Sequence, residues 1–87
     1  MHAVVIKVSM NDQAAAEAAL GDLVPRVSAM PGFVSAYWIA LSPGTGTAIH
    51  IVDSEAAAQA LVDMVAAAPA GAVTTDSVEV GRVIAHA

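Results

Sequence analysis

Short runs rich in branched apolar residues alternate along the chain with stretches in which apolar residues recur every three or four positions. The first run, His2 to Ser9, predicts a strand. Asn11 or Asp12 then caps a helix whose apolar face is Ala16, Leu20, Leu23, Val24 and Val27. Pro25 lacks an amide, which predicts a kink or break in this helix near Gly21 to Val24. Pro31-Gly32 ends it. Phe33 to Leu41 reads as a second strand, Ser42-Pro43-Gly44-Thr45-Gly46 as a turn, and Thr47 to Val52 as a third strand, so that strands two and three make a hairpin. Ser54 caps a second helix, Glu55 complements its dipole, and its stripe is Ala57, Ala60, Leu61, Met64, Val65 and Ala68. Pro69 and Gly71 stop it. A polar loop, Thr74 to Ser77, precedes a fourth strand from Val78 to Ala85.

The order βαββαβ predicts an α+β, ferredoxin-like unit: a four-stranded antiparallel sheet with two helices on one face. Residues 1–87 make one domain. Strand alternation assigns Val4, Ile6, Val8, Phe33, Tyr37, Ile39, Leu41, Ile49, Ile51, Val78, Val80 and Ile84 to the helix side. The uncovered side then carries Val5, Lys7, Ser9, Val34, Ala36, Trp38, Ala40, Ala48, His50, Val52, Glu79, Gly81 and Val83. Arg82 falls on the helix side as a misfit that a bulge or a strand-end position relieves.

Composition sharpens this picture. Hydrophobic residues make up 57% of the chain and the mean hydropathy is +0.70. One small core cannot hide that much apolar surface, so a second copy is expected on the uncovered sheet face. No stretch reaches the roughly 18 apolar residues of a membrane span. The N-terminus shows no basic region followed by an apolar core, and a cytoplasmic location is expected. The net charge is −5, with Lys7, Arg26 and Arg82 the only Lys and Arg residues, which argues against nucleic acid and anionic membranes as partners. The absence of cysteine removes disulfides, thiol catalysis and cysteine metal sites.

Three segments carry a family resemblance: Ala3-Val4-Val5-Ile6-Lys7-Val8, Met30-Pro31-Gly32-Phe33-Val34-Ser35-Ala36-Tyr37, and Val52-Asp53-Ser54-Glu55-Ala56-Ala57-Ala58. Over nearly its whole length the chain resembles the dimeric α/β-barrel superfamily, most closely its antibiotic-biosynthesis-monooxygenase-like branch. That resemblance implies a homodimer in which two sheets pack face to face around a cavity. It also implies a cofactor-free, monooxygenase-like enzyme acting on an aromatic or polyketide-like apolar molecule, or a non-catalytic binding or structural barrel. The haem-degrading members resemble one another in an asparagine on strand 1, an aromatic near the end of strand 3 and a histidine on helix 2. Here strand 1 has no asparagine, position 52 is Val, and helix 2 has neither histidine nor aromatic. Haem degradation is therefore not expected.

Trp38 and His50 are the leading candidates for chemistry. With the hairpin symmetric about Gly44 they stand opposite each other on the uncovered face, an indole wall beside an imidazole that accepts or donates a proton. Packing of both in a dimer core is the alternative. Lys7 and Glu79 are expected to face each other across strands 1 and 4, as a cross-strand ion pair or as groups that position a ligand, Glu79 binding the substrate and Lys7 stabilising a developing oxyanion. Ala36 and Val52 complete the expected substrate wall. Tyr37 is expected in the core. His2 and His86, at opposite ends of strands 1 and 4, lack a third ligand, so no metal or other cofactor is expected.

Overall fold

The computed structural model describes residues 1–67 and 71–87. Its elements are β1 (His2–Met10), α1 (Gln13–Ser28), β2 (Phe33–Ala40), β3 (Thr45–Val52), α2 (Glu55–Ala67) and β4 (Val73–Arg82). The strands form one antiparallel sheet in the order β2-β3-β1-β4. This is the ferredoxin-like α+β topology. Ala68 of the expected second stripe and Pro69 as its stop lie outside the described residues.

Local chemistry explains most boundaries. Asp12 is the cap of α1: its Oδ1 accepts the Ala15 N–H at 3.1 Å. Asn11 does a different job, binding the entry of β4. Its N–H donates to the Ala72 carbonyl at 2.7 Å, and its Nδ2 donates to the Gly71 carbonyl and the Thr74 Oγ1. Ser54 Oγ accepts the Ala57 N–H and caps α2.

The predicted break in α1 does not occur. The helix runs through Pro25 to Ser28. Pro25 stands in the last turn, where it forfeits a single bond, and its own carbonyl accepts the Ala29 N–H and the Ser28 hydroxyl.

β4 also departs from expectation. It begins at Val73, so Thr74 to Ser77 is strand and not loop, and it ends at Arg82 before the predicted Ala85. The polar run reads as a loop because β4 is an edge strand whose outward residues meet water. A register shift against Lys7/Val8 leaves Asp76 as the extra residue, and its Oδ2 accepts the Ser9 hydroxyl at 2.6 Å. Arg82 closes the strand, exposed, which removes the misfit.

The core is Val4, Ile6, Ala48, Val52, Ala58 and Leu61. The assignment to the helix side holds for β1 and for Phe33 at the start of β2, and is inverted for Tyr37 and Ile39 of β2 and for β3. Val4 pairs with His50 and Ile6 with Ala48, so Gly46, Ala48, His50 and Val52 face the helices. Trp38, Ala36 and Ala40 follow from the hairpin register, while Tyr37, Ile39, Ile49 and Ile51 face the uncovered side. Tyr37, expected in the core, is 62% exposed. The physical reason is close approach. Helix α2 sets Ala57 and Ala58 on the sheet, and the small Ala48 accepts that contact where Ile49 would not. β3 is apolar on both faces, so alternation alone does not orient it.

Glycine makes the tightest joint. Gly32 has φ +84, and a Cβ there would lie 2.5 Å from Asp53 Oδ1 and 2.7 Å from the Ala57 Cβ. Its carbonyl accepts the Asp53 N–H at 2.8 Å. Gly21, in mid-helix, would meet nothing within 4 Å. Two glycine-to-alanine changes should therefore have opposite signs in urea denaturation. Gly32→Ala is expected to destabilise by roughly 2–4 kcal/mol. Gly21→Ala is expected to stabilise by about 0.5–1 kcal/mol.

Candidate functional site

Helix α1 meets the rest of the molecule at its two ends. Ala16 and Val27 are its buried residues, and Leu20 and Leu23 between them are only half-buried. Beneath that middle stretch lies a cleft of about 940 Å³. Ala19, Leu20, Leu23 and Arg26 form its α1 wall, Val62 and Val65 its α2 wall, and Ala40, Gly46, Ala48, Trp38 and His50 its floor. The floor lies low at Ala40, Gly46 and Ala48, whose side chains are small, and α1 is too rich in alanine to fill the gap. At the C-terminal end of α1 the packing is tight. The space among Val27, Met30, Phe33, Val52 and Leu61 is about 10 Å³, too little for a water molecule with polar partners.

His50 and Trp38 are diagonal neighbours on the hairpin, since His50 pairs with Ala36 and Trp38 with Ala48. Their ring centroids are 5.2 Å apart with planes at 90°, an edge-to-face contact that holds the imidazole against the indole. His50 is the buried polar side chain of the core at 3% exposure. Burial lowers its pKa from the ordinary 6.5, and a backbone hydrogen bond with Val4 opposes that shift in part. The imidazole is thus held neutral. Its Nδ1 is sealed from solvent and has no hydrogen-bond partner among the described residues. Such a group costs about 1–3 kcal/mol until a partner reaches it.

Of the residues expected to carry chemistry, the structure brings only His50 and Trp38 to the cleft, and on the helix side of the sheet. Ala36 lies half-buried on the same side as His50's register partner. Val52 belongs to the packed end of α1. Lys7 and Glu79 are on the opposite face, and they do not oppose each other: Lys7 pairs with Ser77, and Glu79 with Val5. The sheet therefore separates Lys7 from His50, which removes it as an oxyanion partner. His86 lies past the end of β4, whereas His2 pairs with Arg82. Among the described residues no group of three or more His, Cys, Asp or Glu is placed to hold a metal. The residues missed in the sequence are those of the helix walls, above all Arg26. The signal was present as the spacing Ala16, Ala19, Leu20, Leu23, Arg26, Val27, which sets Arg26 on the apolar stripe.

No family model matches the chain, and no curated protein matches it. Among solved structures it is similar to the crystal structure of a protein of unknown function from Nitrosomonas europaea. The TM-score is 0.71 at 18% sequence identity, over 99% of this chain and 91% of that one. At that identity the likeness shows the fold alone.

The lowered pKa of His50 has a thermodynamic signature. Unfolded, the imidazole takes up a proton near 6.5; folded, it does so only at lower pH. Between those values the unfolded state binds more protons, so stability present above pH 6.5 is lost as the pH falls. The slope is at most about 1.4 kcal/mol per pH unit. Urea midpoints at pH 7.5 and 5.5 should fall further for the natural chain than for His50→Leu. Equal falls would mean that His50 titrates normally.

Proposed function

We propose that the chain binds a flat, apolar small molecule carrying a hydroxyl group in the cleft between α1 and the sheet, and that it does so as a homodimer. The observation that carries this reading is the neutral imidazole of His50, its Nδ1 without a partner among the described residues, beside Trp38 in the floor of a largely apolar cleft. A half-turn of the ring about its soft χ2 torsion turns a nitrogen toward the cleft. A ligand hydroxyl then donates to it, and the indole edge packs against the ligand's rings.

The other sheet face supports the dimer. Val5, Tyr37, Ile39, Ile49 and Ile51 share it, with Tyr37 and Ile39 well exposed. A monomer of 8.7 kDa is expected to expose roughly 4,700 Å², whereas this chain exposes 5390 Å². The excess approaches the roughly 800 Å² that each partner buries in an interface of standard size. Dimerisation on this face leaves the cleft open.

The same cleft suits a cofactor-free monooxygenase. His50 accepts the hydroxyl proton, and the resulting phenolate reacts with dioxygen at a ring carbon that bears hydrogen. That carbon gains one oxygen as a carbonyl, the phenol is oxidised to a quinone by losing its O–H and C–H hydrogens, and those two hydrogens leave with the other oxygen atom as water. The neutral state of His50 favours this reading, since a protonated imidazole accepts no proton.

Calorimetry separates these elements. The natural chain should bind 2-naphthol about five- to tenfold more tightly than naphthalene, and His50→Leu should bind the two equally. No hydroxyl preference in the natural chain would remove His50 from the site. Oxygen uptake with polycyclic phenols, lost in His50→Leu, would establish the enzyme; binding without uptake would leave a carrier. In sedimentation equilibrium the chain should run at twice 8.7 kDa, and Ile49→Glu, at the centre of the uncovered face, should run as a monomer. A monomeric natural chain at micromolar concentration would sink the dimer.

A further inference from the structure

The cleft has a polarity along its length. Two residues charged at neutral pH line it among those described, Glu17 and Arg26, both on α1. They are nine residues apart, about 13 Å along the helix axis, with apolar Leu20 and Leu23 between them. Arg26 is the only Lys or Arg among the described lining residues, in a chain whose net charge is −5 and which has just three such residues. Its position is unusual for α1: it lies between Leu23 and the buried Val27 on the stripe that faces the sheet, where every other member but Glu17 is apolar.

We infer that Arg26 makes the cleft selective for amphiphilic anions, molecules with an apolar ring body and a carboxylate, sulfonate or phenolate at one end. The inference rests on the binding role assigned to the cleft and adds the ligand's charge and direction. The anionic end lies toward Arg26, within the last turns of α1, and away from Glu17. The ring body lies over Ala48 and against Trp38. Arg26 is exposed, and its guanidinium offers a planar pair of donors to an oxyanion. A cation in the last turn of a helix also interacts well with the helix dipole, and that role alone predicts a loss of stability on substitution with no change in ligand preference.

Two fluorescent probes with the same ring system separate these roles. 1-Anilinonaphthalene-8-sulfonate carries the anion, and N-phenyl-1-naphthylamine lacks it. Arg26→Gln should weaken the sulfonate probe about five- to tenfold and leave the neutral probe within about twofold. Lys7→Gln, on the other face, should change neither, and each probe should displace the other. Sodium chloride at 0.5 M should weaken the sulfonate probe in the natural chain and much less in Arg26→Gln. If the neutral probe binds and Arg26→Gln affects both probes alike or neither, the cleft stands and the role of Arg26 is overturned. If neither probe binds the natural chain, the cleft is no binding site and this inference falls with it.

Discussion

The fold depends on how α1 is held. At its C-terminal end, Gly32 in a left-handed conformation lets the chain turn directly beneath the entry of α2, with the Asp53 amide bonded to the Gly32 carbonyl. At its N-terminal end, Asp12 caps the helix while the neighbouring Asn11 bonds to residues 71–74. Each tether joins α1 to the start of another element, α2 at one end and β4 at the other. Between the tethers the stripe has only two large side chains, Leu20 and Leu23, and both stay half-buried. A helix fixed at both ends and slender in the middle leaves a gap, and the gap is the cleft.

The sheet keeps two apolar faces apart. Its helix side carries Val4, Ile6 and Val52 of the core together with the small Ala48 and Gly46, one indole and one imidazole, and its other side carries Val5, Ile49, Ile51, Ile39 and Tyr37. The two sides suit two kinds of contact: a broad one with another large surface, and a narrow one with something small. The charged residues divide in the same way, with Lys7 and Glu79 on the open side and Arg26 and Glu17 at the cleft.

Element order and type were legible because period and punctuation agreed. Asp12, Pro31-Gly32, Ser54 and the turn at Ser42 to Gly44 each stand where an element begins or ends. The faces of β1 followed from alternation. Those of β3, and of β2 beyond Phe33, did not, because hydrophobic weight favours Ile49 and Ile51 for the interior whereas close helix packing requires Ala48. The pairing of Trp38 with His50 as neighbours was visible in the sequence, though the hairpin register makes them diagonal and places them on the other side. The cleft itself was hidden, since it arises from what alanine fails to fill, and Arg26 was hidden with it. The start of β4 was masked by polar residues on an edge strand, and the passage of α1 through Pro25 by the proline's nearness to the helix end.

Much of the cleft is bounded by Ala19, Ala40, Ala48 and Gly46. A methyl group has no rotamers, so these boundaries are drawn by the backbone itself and do not shift as side chains hop between wells. Each such position is also a graded stop. Changing one alanine to valine or leucine shortens the chamber by a fixed step without touching the strand pairing or the tethers of α1. In such a scaffold the length of the space beneath α1 is set one substitution at a time while the frame around it stays the same.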